Sequence, residues 1–485
     1  MVKWLFLCTY HFLLYPTTFL LAHVFWPVWP KRFRDSLRLK WLRSWPRSSV
    51  LLLNKEGNSE KDVDISRPLL IHAASGEIEY AKPLIRAWRA KYPNSPIIVT
   101  YSSPSFENLF RQDLDQQIFT TPLPFDFFLL QYWFLKRYRP QAIAIARTDA
   151  WLGLLHAASA LGIPSLLFAA TVSEASDQVS ALPRYYKKIH YSLFAKIAVV
   201  SDEDAEALAQ LTDSHRISVT GDPRYDQAWW RLYDKPQPTL LPQAQGLRGI
   251  LASLWPEDTS VLLAGLKAGL ASASYPSSSS GHKSLGLIKE WVIVPHEPED
   301  KYIKPWEEFF KSRGFKLVRL SALLKNKSLS NPLEVTATLK EGYPTHQQLE
   351  SLEVESPSIA YIVDQVGYLA RLYLEGHFAF VGGSFRSKVH SVMEPLCAGV
   401  PVSVGPYHTN NREAVEFLQI ELATGINAVT CITNAHDFLN WLAQLAQLYE
   451  NPAPHHRSKE LLLQHIQRRL GATSRILTLM NSMRG

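Results

Sequence analysis

Cysteine is scarce: Cys8, Cys397 and Cys431 are the only three in 485 residues, odd in number and widely spaced. That excludes a disulfide framework and a cysteine-built zinc site, and it fits a reducing compartment. A strong excess of one charge is also missing. The formal net charge is +7 with 20% charged residues, too modest to single out a nucleic acid over a membrane surface or a phosphorylated ligand. The 16 histidines fall in no zinc-binding spacing. Two Asp-x-Asp triplets occur, Asp113-Leu114-Asp115 and Asp202-Glu203-Asp204. The second follows Ser201 and reads as a helix start with an N-cap and an acidic first turn. No internal repeat is visible, and no metal or other cofactor is called for.

What is present is bulk apolar content, 46% hydrophobic over a length that suits two domains and an appendage. From Trp4 to Trp29 no side chain is charged when histidine is neutral. An apolar helix of ~20 residues spans a bilayer, but Pro16, Thr17, Thr18 and two histidines leave a spanning and a monotopic insertion both open. No small-x-small cleavage site follows. Next come Lys31, Arg32, Arg34, Arg38, Lys40, Arg43 and Arg47 against a single Asp35, with Phe33, Leu37 and Trp41 on one helical stripe. Residues 1–47 therefore read as a membrane anchor with a basic amphipathic helix on anionic headgroups, the remainder lying on the cytoplasmic side. The apolar stripe argues against a nucleic-acid partner.

Two α/β lobes follow, 66–233 and 246–485. In the first, Pro68 to His72, Pro96 to Thr100, Ala142 to Ala146, Pro164 to Ala169 and Ala195 to Val200 read as strands, with a helix from Glu77 to Lys91. The pattern restarts after Asp234-Lys235-Pro236-Gln237-Pro238. Strands are expected at Gly249 to Ser253, Trp291 to Pro295, Phe315 to Val318, Ala360 to Val363, Phe378 to Val381 and Pro401 to Val404. Ser272 to Ser284 and Ser321 to Pro332 read as loops, and Ala435 to Tyr449 and His456 to Ser482 as helices. Unbroken apolar strands alternating with helices predict two Rossmann-like parallel sheets covered on both faces, with ligands at the carboxyl ends of the strands.

Two segments carry chemistry. His72-Ala73-Ala74-Ser75-Gly76-Glu77, then Glu79, lies between a strand and a helix, where a carboxylate either caps the helix or faces a ligand. Val381-Gly382-Gly383-Ser384-Phe385, His390-Ser391-Val392-Met393-Glu394-Pro395 and Gly399-Val400-Pro401-Val402, with Gly405-Pro406, form the second. Glycines after a strand let the backbone approach a phosphate, and a following helix offers its positive end. Taken alone, each is also plain turn and cap chemistry.

Taken in order, these segments resemble the bacterial 3-deoxy-D-manno-octulosonic acid (Kdo) transferases of lipopolysaccharide synthesis along essentially the whole chain. The first is similar to the family's His-Ala-(small)-Ser-Val-Gly-Glu. The second is similar to its Phe-Val-Gly-Gly-Ser, His-Asn-Pro-Leu-Glu, Pro-Val and Gly-Pro, with Asn410 and Asn411 nearby. Thr148-Asp149-Ala150-Trp151 resembles Thr-Glu-Leu-Trp. Gly221-Asp222-Pro223-Arg224-Tyr225-Asp226 resembles Gly-x-x-Lys-Phe-Asp, and Asp364, Gly367 and Leu369 fall where the family has Asp-Thr-Met-Gly-Glu-Leu. There are departures. One residue is missing before Gly76. The family's Asn-Ala-Arg-Leu-Ser is Ala169-Ala170-Thr171-Val172-Ser173 here, Pro-Arg-His-Pro is Pro295-His296-Glu297-Pro298, and His-Asn is His390-Ser391.

The resemblance implies a GT-B glycosyltransferase at the cytoplasmic face of the cell inner membrane. It implies inverting transfer of Kdo or a related sugar acid from a CMP-sugar donor to a lipid A precursor, without metal. Glu77 is the expected catalytic base, with Glu79 second, and Ser75, Gly76 and Asp149 stand on the acceptor side. Donor binding is expected from Gly382, Gly383, Ser384, His390, Ser391, Glu394, His296 and Arg224, with Glu394 on the ribose. A transferase of this fold using another nucleotide sugar, and a non-catalytic sugar- or lipid-binding homologue, are the alternatives.

Overall fold

The computed structural model describes residues 7–25, 29, 31, 34–35, 37–38, 51–52, 67–103, 118–147, 151–172, 181–234, 239–272, 284–328, 358–450 and 452–483. The chain divides into two compact units, one of Met1–Gln227 with Arg469–Gly485, the other Ala228–Arg468.

The first unit holds β1 (Leu51–Leu52), β2 (Leu69–His72), β3 (Ile97–Tyr101), β4 (Ile118–Pro122), β5 (Ala142–Ala146), β6 (Ser165–Ala170), β7 (Lys196–Val199) and β8 (Ile217–Val219). They form one sheet in the order β1-β4-β3-β2-β5-β6-β7-β8. Seven strands are parallel, and only the two-residue β1 runs antiparallel, against β4. Alternation explains the unbroken apolar runs. Leu69 and Ile71 enter one buried cluster with Trp88, Ile97 and Val99, while Leu70 enters another with Ile143, Ile145 and Leu154. Both faces are covered, so apolar residues run on through consecutive strand positions.

The second unit holds β9 (Leu247–Leu254), β10 (Ile288–Pro295), β11 (Lys316–Arg319), β12 (Ile359–Ile362), β13 (Phe378–Val381), β14 (Val402–Val404), β15 (Glu421–Ala423), β16 (Ile426–Asn427) and β17 (Val429–Cys431). Its main sheet has the order β11-β12-β10-β9-β13-β14-β17, with β15 and β16 paired apart. All seven main strands are parallel. The strand order reverses between β2 and β5 in one sheet and between β9 and β13 in the other. In open parallel sheets ligands bind outside the carboxyl ends of the strands at such a reversal.

Two findings differ from the sequence reading. The C-terminal stretch is two helices, Pro452–Gln467 and Ala472–Ser482, broken at Gly471 with φ 87°. The second of them packs into the first unit, although the sequence reading ran the second lobe to residue 485. Ile476 and Met480 sit in that unit's core, and the Asp226 carboxylate accepts from the amides of Gly471 and Thr473, each at 2.7 Å. Ser321 to Pro332 was expected as loop, yet Leu320–Ser328 is a helix. Ala322, Leu323, Leu324 and Lys325 are strong helix formers, and Asp364 anchors its start by accepting from the Ser321 amide at 3.0 Å.

The N-terminal segment forms a π-helical turn, Tyr10–Leu14, running into the helix Tyr15–Val24. Among the described residues, no helix is long and apolar enough to cross a membrane. This one docks sideways on the first unit. Tyr10 donates its hydroxyl to Asp126 at 2.9 Å, and the Asp126 amide donates to Tyr15 Oη at 2.8 Å. The Asp126 carboxylate also accepts from the amides of Gly153 and Leu154 at the start of the helix Leu152–Ala160. The opposite face is bare apolar surface, with Phe12 82% and Leu20 62% exposed. Trp133, on the helix Phe128–Tyr138, is exposed as well, with the Lys136 ammonium 5.1 Å from its ring centre. Phe33, Trp41 and most of the basic run lie outside the described residues.

Candidate active site

In the first unit the site grows from the end of β2. The loop Ala73 to Gly76 is pinned to the neighbouring strand. Ala73 donates its amide to the Thr100 carbonyl, and Ser102 and Ser103 donate theirs to the Ala74 carbonyl. Beneath it, His72 Nδ1 lies 2.9 Å from Thr100 Oγ1. The helix Ile78–Lys91 then buries Ile78, Ala81, Leu84, Ile85 and Trp88 along one stripe. Glu77 sits at its N-cap, half-buried, and its side chain makes no cap bond. Instead Glu77 Oε2 accepts from the Ser75 amide at 3.0 Å. A Cβ added at Gly76 would meet no atom within 4 Å, so the protein's own packing does not demand glycine there. Glu79 is held by Lys82, whose ammonium lies 2.5 Å away and whose side chain is fully buried.

The sequence-predicted residues divide between the units. Arg224 lies in the first, gripped by Asp222 through three contacts of 2.6 to 3.2 Å, with its guanidinium 4.5 Å from the ring centre of Tyr80. Within the same motif, Asp226 caps the C-terminal helix. Asp149, with Thr148 and Ala150, lies outside the described residues, as do Asp113 and Asp115.

In the second unit, Gly382 to Ser384 follow β13. A Cβ on Gly382 would fall 2.4 Å from the Ser253 carbonyl oxygen, and Gly383 has φ 87°. The sequence reading offered all three amides to a phosphate. Two are spent: Gly382 donates to the Ala252 carbonyl at 2.8 Å and Gly383 to Asp258 Oδ2 at 2.7 Å. Among the described residues, only the Ser384 amide of the three lacks a protein acceptor. The Ser384 hydroxyl is buried, donating to the Val381 carbonyl and accepting from the Gly405 amide. The helix after His390 is only Met393–Cys397, and its Met393 amide donates to Ser391 Oγ at 3.4 Å.

Asp258 organises this turn, and the sequence reading missed it. It is fully buried in the first turn of the helix Pro256–Ser272 and accepts from the amides of Trp255, Gly383 and Phe385. Burial pushes its pKa up, and those three amides oppose the shift. Glu394, half-buried, is paired with Arg231 at 2.5 Å, a second missed residue. Behind it the buried Tyr373 phenol is pushed well above its ordinary value, by burial first and by Glu394 second.

His296 and His390 stack with ring centres 4.4 Å apart, and the Trp255 ring stacks on His296 at 4.4 Å. The Trp255 indole N–H donates to His390 Nε2 at 3.1 Å. An indole only donates, so His390 Nε2 must accept and the proton sits on Nδ1. Burial, then His296 and Lys388, lower the His390 pKa to about 4. Burial lowers that of His296 too. The sequence reading put His296 where a donor-binding arginine belongs. Burial lowers its pKa and so favours the neutral ring, and the Arg386 guanidinium lies at this edge, 4.0 Å from the ring centre of Trp255.

The His390 pKa sets a pH dependence. It is depressed from 6.5 to about 4, so the native state favours the neutral ring. The contribution to stability is complete above pH 6.5 and is lost as pH falls from there to 4. The melting temperature should drop across that window, and by less in His390→Gln. His11 and His190, also lowered to about 4 mainly by burial, add to the drop in both proteins. A parallel fall in the two proteins would refute the assignment to His390.

Among the described residues, no three His, Cys, Asp or Glu side chains gather to hold a metal ion.

Residues 43–227 match the family described as 3-Deoxy-D-manno-octulosonic-acid transferase (kdotransferase). The chain is 25% identical over 361 residues to a 3-deoxy-D-manno-octulosonic acid transferase of Chlamydophila psittaci, covering 72% of this chain and 71% of that one. It is 25% identical over 422 residues to the protein of that name in Bordetella pertussis, covering 85% and 86%. A UDP-GlcNAc 2-epimerase of Neisseria meningitidis shares the fold, with a TM-score of 0.51 and 13% identity over 86% of this chain and all of that one. With two GT-B-like parallel sheets, a family match over residues 43–227 and 25% identity along most of its length, the chain is similar to the 3-deoxy-D-manno-octulosonic acid transferases and diverges from them in sequence.

Proposed function

We propose that this protein is an inverting glycosyltransferase that moves Kdo from a CMP-activated donor to a lipid A precursor, at the cytoplasmic face of the inner membrane and without a metal ion. The observation that carries this reading is Glu77. Its carboxylate stands at the β2–β5 reversal, half-buried, oriented by one backbone amide and, among the described residues, paired with no cation. It is not consumed by capping. A carboxylate so placed suits a general base.

In the proposed step Glu77 takes the proton of an acceptor hydroxyl. That oxygen bonds to the anomeric carbon from the face opposite the leaving group, and the bond to the CMP phosphate oxygen breaks. Ser75 and Gly76 meet the acceptor, where the open space over Gly76 lets a sugar approach the backbone, and Asp149 is assigned to the acceptor by its motif alone. On the donor side, the Ser384 amide and the Nδ1–H of neutral His390 donate to the departing phosphate. Glu394, fixed by Arg231, accepts from the ribose, and Ser391, His296 and Arg224 complete the binding set. The bare apolar face of the N-terminal helix, with Trp133 and Lys136, supports docking on an anionic bilayer.

His296, in place of the arginine of the resembled motif, favours one competing reading, a transferase with a different nucleotide sugar. Thermal shifts with CMP, UDP and GDP, with and without chelator, separate the two. CMP should raise the melting temperature, chelator should not matter, and the protein should float with anionic but not zwitterionic vesicles. Stabilisation by UDP or GDP but not CMP would overturn the donor assignment.

A further inference from the structure

Arg147 is a residue of the first unit that the proposed step leaves unused. It follows β5 directly, at the carboxyl end where the strand order reverses, with its backbone at φ 61°. That left-handed region is natural to glycine and costly for a long side chain, and such strain persists where the surroundings enforce it, commonly at binding sites. The half-buried Arg147 guanidinium lies 5.2 Å from the ring centre of Tyr80 and 3.4 Å from Thr171 Oγ1. Arg224 lies 4.5 Å from the same ring. Tyr80 is one helical turn beyond Glu77.

Two guanidinium groups gathered on one buried ring repel each other. Asp222 offsets the charge of Arg224. Among the described residues, no carboxylate comes within ion-pair distance of Arg147. A half-buried cation without an anion is unfavourable, and guanidinium matches carboxylate and phosphate oxygens geometrically. Thr171, which Arg147 touches, is also a position where the resembled motif carries arginine. A guanidinium absent from the end of β6 is thus delivered from the end of β5.

We propose that Arg147 and Arg224, set on Tyr80, form an anion site beside Glu77 that holds a substrate phosphate or carboxylate. This rests on the transferase reading. The acceptor offers phosphate, and the donor offers its sugar carboxylate and the CMP phosphate, so the two substrates separate by which KM moves.

The test is Arg147→Gly. Glycine relieves the left-handed backbone, so the variant should melt at or above the wild-type temperature. Yet KM for one substrate should rise roughly 10- to 100-fold, the scale of a lost charge-assisted contact. A rise for lipid IVA assigns the site to the acceptor phosphate, and a rise for CMP-Kdo assigns it to the donor. Arg147→Lys should recover part of the loss. Both KM values within twofold of wild type would overturn the site. If the wild-type protein transfers nothing, the functional reading has failed separately, and inorganic phosphate still decides the site. It should raise the wild-type melting temperature more than that of Arg147→Gly, and equal shifts would overturn the proposal.

Discussion

Glu77→Gln should leave a folded protein whose transfer rate falls about 10²- to 10⁴-fold, the usual contribution of a positioned general base. The amide keeps an oxygen that can accept from the Ser75 amide, a contact of 3.0 Å in the native protein. The loop and the helix Ile78–Lys91 are therefore retained, and the melting temperature should stay within a few degrees. What is lost is the proton acceptor. Donor affinity should be unaffected, because Glu77 makes none of the proposed donor contacts, so the change falls in kcat rather than in the KM for CMP-Kdo. Glu79→Gln should not reproduce the loss, since that carboxylate is already tied to the buried Lys82. Comparable losses in both variants would mean that charge at the helix start matters, not a base at position 77.

Asp258→Ala should be the most damaging change in the second unit. Three backbone amides, of Trp255, Gly383 and Phe385, converge on this one carboxylate. Removing it strands donors that are costly to leave unpaired, at about 1–3 kcal/mol each before water intervenes. Burial already disfavours the ionised group, and that returns part of the loss. A net destabilisation of about 2–4 kcal/mol is expected, read as a shift in the urea midpoint at constant slope. The Gly382–Ser384 turn then loses its shape, and CMP affinity should fall with it. Asp258→Asn keeps one acceptor oxygen and should show a smaller form of both effects. Unchanged CMP affinity in a destabilised Asp258→Ala would separate the turn from donor binding.

Which parts of this were legible in the sequence follows from the range of the interactions. β2, β5 and β13 are short apolar runs buried on both faces, so local composition identifies them. β4 reads Ile-Phe-Thr-Thr-Pro, and its strand character comes from pairing with β3. β17 is three residues completed by β14. Neither announces itself locally. The break at Gly471 is a local cue, but the docking of the final helix on the first unit depends on Asp226, 245 residues earlier.

The site divides the same way. The His72–Glu77 and Gly382–Glu394 segments are contiguous and could be read as motifs. Asp258 meets Gly383 across 125 residues, Trp255 meets His390 across 135, and Arg231 meets Glu394 across 163. None of these carries a motif of its own, and no spacing rule links residues so far apart. The amides already spent inside the protein were equally invisible, since a Gly-Gly turn looks the same whether its N–H groups face a ligand or a neighbouring carboxylate.

The most direct measurement is the mass of the lipid recovered after purified protein is incubated with CMP-Kdo and lipid IVA. The account predicts lipid enlarged by Kdo, CMP released in equal amount, and neither seen with Glu77→Gln. Unmodified lipid beside intact donor, from protein that is folded and binds CMP, would contradict it.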